Sequence, residues 1–306
     1  VIKIIMNWNY GLVGLVAPLA IASVITIQTN VAVALTGEEV NNIAREVTVL
    51  IRGKNGHGSG FIISQSGKTY YILTAQHVVA KSDEYAVVTP DKQAHEVESS
   101  KIKALPGVDL AVIQFDSDKT YQAAKLANSD TLSEGKPIFI SGWPKPGGTG
   151  QLVRQFTDGR ISGFLDKPLH GYKVSYTNVT RKGMSGAPVV DAAGRVVAVH
   201  GMGDSEDARV LESSGLSPEV ADKIASLIKP GFNYGIPIKT FLTLAPQEGL
   251  YLSLQVENTP APELGAPYVA NAQPDEKDKI DNINEVLDSV DRGVETIDRV
   301  RNILRF

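Results

Sequence analysis

The strongest constraint on this chain is a long succession of short runs rich in Val, Ile, Leu, Tyr and Phe, separated by Gly, Ser, Asp and Lys. Strands are expected at 47–51, 60–63, 70–74, 85–89 and 110–115, and again at 137–141, 152–161, 173–176, 187–190, 196–200 and 232–237. Many short strands with polar turns argue for a sandwich or barrel, because a parallel sheet needs a long crossover between strands. Between residues 35 and 246, helical character is limited to 37–46, to an insertion at 204–229 and to a short helix running through Leu244. Within the insertion, Ser217-Pro218-Glu219 followed by Val220, Ile224 and Ile228 reads as a capped amphipathic helix, either a lid or exosite or a plain surface excursion.

Three motifs sit beside these strands: Thr74-Ala75-Gln76-His77-Val78-Val79, Gly107-Val108-Asp109-Leu110-Ala111-Val112 and Lys182-Gly183-Met184-Ser185-Gly186-Ala187-Pro188. A serine hydroxyl is a poor nucleophile by itself. It needs an imidazole to take its proton and a carboxylate to fix the imidazole tautomer. The glycine-rich turn around Ser185 adds backbone N–H groups able to converge on the oxyanion of a tetrahedral intermediate.

Together these motifs resemble those of the chymotrypsin-like (trypsin-like) serine endopeptidases, in the bacterial branch with the HtrA-type and glutamyl endopeptidases. The likeness covers roughly residues 47–245. It implies an all-β fold of two six-stranded antiparallel barrels, with the helical insertion and a C-terminal helix added. It also implies His77 as general base, Asp109 as its orienting carboxylate, Ser185 as nucleophile, and the N–H groups of Gly183 and Ser185 as the oxyanion hole. The expected reaction is peptide-bond hydrolysis on a protein or peptide substrate, with no metal or organic cofactor required; a non-catalytic binding scaffold on the same fold is the alternative. Two positions depart from the pattern. Met184 stands where the digestive enzymes carry the aspartate of their zymogen switch, and Ala187 replaces a glycine common after the serine.

Alignment on Ser185 places the base of the substrate pocket near Val179 and Thr180. No aspartate lies there, which disfavours Arg or Lys at P1. Thr180 and His200 resemble the pair that holds a substrate carboxylate in glutamyl endopeptidases, so an acidic P1 residue is one expectation. A small or aliphatic P1 residue beside Val179 is the other.

The 306 residues carry a formal net charge of −4 with no basic block, so nucleic acid has no electrostatic footprint here. No cysteine is present, which excludes disulfides and thiol nucleophiles. Four segments are expected. Residues 1–34 read as an export signal, with an apolar run after Lys3 and Ala32-Val33-Ala34 before Leu35; an uncleaved membrane anchor and a buried helix are the alternatives. Residues 35–246 form the protease domain and 247–274 a proline-bearing linker. Residues 275–306 carry apolar residues at 3-4 spacing and read either as a docked helix or as a short coiled coil making a homo-oligomer.

Overall fold

The computed structural model describes residues 34–54, 56–81, 84–147, 150–203, 217–218, 232–260 and 262. The N-terminal apolar run, nearly all of the 204–229 insertion and the 275–306 segment lie outside the described residues.

Helix α1 (Gly37–Val47) opens the described chain. Thr36 caps it reciprocally with Glu39. The Thr36 hydroxyl accepts the Glu39 N–H at 3.3 Å, and the Glu39 carboxylate accepts the Thr36 N–H at 2.8 Å. The helix buries Val40, Ala44 and Val47, and Thr48 ends it by donating its hydroxyl to the Ala44 carbonyl at 2.6 Å.

The first sheet holds β1 (Thr48–Gly53), β2 (Gly56–Ser66), β3 (Thr69–Thr74), β4 (Tyr85–Val88), β5 (Ala94–Val97), β6 (Ile102–Ala104) and β7 (Ala111–Asp116). Its antiparallel order is β5-β4-β1-β2-β3-β7-β6. The sheet curls until β5 faces β7, where His95 stacks on Phe115 with ring centroids 4.5 Å apart. This sheet has seven strands where six were expected, and the extra one, β6, is a three-residue edge.

The second sheet holds β8 (Leu126–Ala127), β9 (Pro137–Gly142), β10 (Gln155–Leu169), β11 (Tyr172–Tyr176), β12 (Pro188–Asp191), β13 (Val196–Gly203), β14 (Asn233–Pro237) and β15 (Val256–Glu257). Six of these close a ring in the order β12-β9-β10-β11-β14-β13, because β12 also pairs with β13. The short strands β8 and β15 add parallel bridges outside the ring.

Period-2 alternation explains why the strands read as nearly continuous apolar runs: both faces are buried. In β7, Ala111, Ile113 and Phe115 fill the first barrel, while Val112 faces a seam between the barrels. In β12, Val189 fills the second barrel and Val190 the seam. Leu110, Phe61, Val199 and Phe241 of helix α2 (Ile238–Gln247) also meet in that seam. Emptying it with Leu110→Ala would cost about 2–5 kcal/mol.

Residues beyond α2 run back along the second barrel, where the Leu126 N–H donates to the Gln255 carbonyl at 2.8 Å and the Asn128 N–H to Glu257 at 3.1 Å. Arg195, fully buried and paired with Asp191, holds Thr259 Oγ1 at 2.5 Å and the Pro260 carbonyl at 3.2 Å. A buried guanidinium needs each of these acceptors.

Candidate active site

His77 lies in a one-turn 3-10 helix (Gln76–Val78) at the end of β3. Its backbone N–H donates to Asp109 Oδ1 at 2.8 Å, and its Nδ1 lies 2.6 Å from Asp109 Oδ2. The carboxylate therefore fixes the proton on Nδ1 and leaves Nε2 as the basic nitrogen.

Asp109 enters β7 from a turn in which Gly107 has φ +76°. Two contacts from the second barrel meet it. Its N–H donates to the His170 carbonyl at 2.9 Å, and the Tyr172 hydroxyl donates to its Oδ2 at 2.5 Å. Burial by itself would raise the Asp109 carboxyl. The hydrogen bonds from His77 and Tyr172 outweigh it and hold the carboxyl below its ordinary range.

Ser185 occupies a tight turn before β12. The Met184 N–H donates to the Arg181 carbonyl at 3.1 Å, with Gly183 at φ +97° in third place, as a type II turn requires. The Lys182 carbonyl accepts the Lys145 N–H at 2.7 Å. In a trans peptide this turns the Gly183 N–H the opposite way. Neither the Gly183 N–H nor the Ser185 N–H has a hydrogen-bond partner among the described residues. Two free donors only two residues apart are unusual in folded backbone.

Residues from elsewhere support this turn. Ser59 of β2 receives the Trp143 N–H at 2.8 Å and donates its hydroxyl to the Gly183 carbonyl at 3.0 Å. His57 Nε2 lies 2.9 Å from the Trp143 carbonyl. Gly186, at φ +86°, passes so close to Ser59 that a Cβ would lie 2.1 Å from its carbonyl oxygen. Ala187 is accommodated because Gly142 opposite lacks a side chain; a Cβ there would lie 3.1 Å from the Ala187 methyl.

The Ser185 hydroxyl rests 3.5 Å from the Gly201 carbonyl, and no hydrogen bond joins it to His77 among the described residues. A chain of short contacts nevertheless links the three motif residues. Gly201 abuts Tyr172, Tyr172 holds Asp109, and Asp109 holds His77.

The residues expected to line the substrate pocket are placed less uniformly. Val179 is 66% exposed. Thr180 is buried and donates its hydroxyl to Asn233 Oδ1 at 2.5 Å, and Asn233 in turn donates to the Asn178 carbonyl at 2.6 Å. His200 is buried, its Nδ1 2.8 Å from the Tyr176 hydroxyl, with a further hydrogen bond to the Tyr234 backbone. Burial, aided by repulsion from His77, pushes its imidazole down to about 3, so it is neutral near pH 7. No hydrogen bond links Thr180 to His200 among the described residues. Tyr172, Asn233, Trp143 and Ser59 are site neighbours that carry no sequence signal, because each is distant in the chain from the residue it holds.

Two closed or curled β-barrels with the site between them define the chymotrypsin-like fold. The comparisons agree. Among solved structures, the HtrA-type protease AlgW with tripeptide matches at a TM-score of 0.54 and 22% identity, covering 71% of this chain and 64% of that one. Deg5 matches at a TM-score of 0.51 and 21% identity, covering 73% of this chain and 99% of that one. By sequence, the chain is 25% identical over 232 residues to the serine protease Do-like HtrA of Lactobacillus helveticus, covering 69% of this chain and 54% of that protein. It is 30% identical over 175 residues to a probable periplasmic serine endoprotease DegP-like of Pseudomonas fluorescens, covering 57% of this chain and 35% of that protein. The chain thus spans about half, or less, of the length of these relatives. The chain thus carries a stretch, residues 58–199, that matches the trypsin-like peptidase domain, and the relatives it resembles over part of their length are of HtrA type.

Proposed function

We propose that this chain is an exported serine endopeptidase in which Ser185 attacks the scissile carbonyl and His77 Nε2 takes its proton. The observation that carries this reading is the pair of unpartnered N–H groups at Gly183 and Ser185, set beside the His77–Asp109 couple. The Ser185 hydroxyl must leave the Gly201 carbonyl for His77 before it reacts. The oxyanion then forms against the two N–H groups, the amine leaves with the proton from His77, and a His77-activated water releases the acyl-enzyme. The apolar run before Leu35 and the word periplasmic in the name of the Pseudomonas relative support export.

For P1 we favour a small or aliphatic residue over glutamate. The Thr180 hydroxyl is committed to Asn233, and a neutral, buried His200 offers no charge to a carboxylate. Val179 leaves an apolar surface exposed nearby. We place the end of the peptidase unit beyond Pro260, and assign 275–306 to helical docking or self-association.

The test is cleavage of a peptide library varied at P1, using protein that starts at Leu35 beside its Ser185→Ala control. The expected result is Ser185-dependent cleavage after Ala, Val or similar residues. Ser185-dependent cleavage after Glu would restore the Thr180/His200 pocket. Cleavage that survives Ser185→Ala, or none at all, would contradict the enzymatic reading.

A further inference from the structure

The tip of the β10–β11 hairpin is built around His170 and Gly171, at φ +49° and φ +90°. Leu169 pairs with Tyr172 across them. Two consecutive positive φ values are what a two-residue type I′ turn demands, and Gly at its second position is favoured. The turn delivers three contacts to one place on the other barrel. The His170 carbonyl accepts the Asp109 N–H, a Cβ on Gly171 would lie 3.0 Å from Val108, and the Tyr172 hydroxyl reaches Asp109 Oδ2.

The Tyr172 hydroxyl can reach that carboxylate only because position 201 is glycine. A Cβ at Gly201 would lie 2.0 Å from the Tyr172 hydroxyl and 2.9 Å from its ring carbon Cζ. Gly201 has no positive φ, so the constraint there is space and not backbone conformation. Gly201 also offers its carbonyl to Ser185. Asp109 Oδ2 receives both Tyr172 and His77 Nδ1, while Oδ1 receives the His77 N–H. The ionisable side chains shown interacting with Asp109 are His77 from the 3-10 turn and Tyr172 from β11, and His170 meets it through its backbone. Tyr172 in turn senses Asp109 and Tyr176, and His200 senses His77.

We infer that Tyr172 is a positioning residue for the reaction, acting through Asp109, and that Gly201 is the space it requires. This deepens the peptidase reading and rests on it. The hydroxyl locks the carboxylate rotamer that presents both oxygens to His77. It also takes up part of the carboxylate charge, which sets how tightly His77 holds its proton.

Tyr172→Phe removes only the hydroxyl. The expected result is a fall in kcat of about 10- to 100-fold, the range for a hydrogen bond to a charged group, with KM changed less than about twofold. More of the Asp109 charge is then left to His77, so the acid limb of kcat/KM moves to higher pH. Gly201→Ala, which displaces the hydroxyl by a different route, should shift the limb the same way, and Tyr172→Phe with Gly201→Ala should shift it no further. A readout independent of turnover is the NMR titration of His77 in a Ser185→Ala background, where Tyr172→Phe raises the titration midpoint. An unchanged midpoint with unchanged kcat, or effects of the two substitutions that add, would overturn the inference. A chain without Ser185-dependent turnover would contradict the peptidase reading instead, and the His77 titration would still decide the role of Tyr172.

Discussion

Gly183→Ala perturbs the turn ahead of Ser185 by a single methyl group. At φ +97° an alanine carries a backbone penalty of about 1–2 kcal/mol. Its Cβ would also lie 2.5 Å from His57 Nε2 and 2.6 Å from the Trp143 carbonyl. Neither neighbour can retreat without breaking the bond between them, which is 2.9 Å long. The cheaper relaxation is to flip the Lys182–Gly183 peptide, converting the type II turn to type I. That breaks the Lys145–Lys182 contact and turns the residue-183 N–H away from the substrate oxyanion. Losing one oxyanion donor costs about 3–4 kcal/mol, a fall of about 100- to 1000-fold in kcat. Steady-state kinetics on the preferred peptide would measure it, with circular dichroism to check the fold. The reasoning is refuted if kcat stays within about threefold of the parent in a natively folded variant.

Three other outcomes follow from the same structure. His200 titrates far below its ordinary value of 6.5, near 3, so the unfolded chain binds a proton that the folded chain refuses across that window. Stability should therefore fall as pH drops from about 6.5 toward 3, and chemical denaturation of a His200→Gln variant should show a shallower slope there. Arg195→Met strands the buried Asp191 carboxylate and releases residues 259–260, so it should destabilise by about 3–5 kcal/mol in urea titrations, with proteolysis beginning near residue 260. Thr36→Ala removes the reciprocal cap of α1 and should cost about 1 kcal/mol by the same titration.

The parts of the fold legible in sequence are those whose burial is dense. Strands β1, β3, β7, β12 and β13 carry apolar residues on both faces, so their positions stand out. Strand β5, Ala-His-Glu-Val, buries only Val97 and reads as loop. Strand β2 starts as Gly56-His57-Gly58-Ser59-Gly60, which looks like a turn. Its glycines instead admit neighbours, since a Cβ on Gly58 would lie 2.4 Å from Val78 and one on Gly60 2.8 Å from Ile72. Strand β10 runs on to Leu169, past the expected end at Ile161, but its far half is largely exposed and Gly163, Asp166, Lys167 and Pro168 break up any apolar alternation there. The strand bridges β8 and β15 are two residues each and depend on tertiary contact alone.

The motif residues of the site were legible because each lies in a distinctive local run. Their supports were not. Tyr172 is 63 residues from Asp109, and His57 is 86 residues from Trp143. Such pairings are set by how the two barrels meet, which no local pattern encodes. For the pocket residues the chemistry is legible in sequence and the hydrogen-bond partners are not. Thr180 and His200 have the right chemistry for a carboxylate, but Asn233, Tyr176 and the Tyr234 backbone already occupy their polar atoms.

The most direct test of the central claim is labelling by a fluorophosphonate, with the modified residue located by mass spectrometry. The account predicts a covalent adduct on Ser185 that is absent in Ser185→Ala and strongly slowed in His77→Ala. An unlabelled Ser185 in folded protein, or labelling at the same rate without His77, would contradict it.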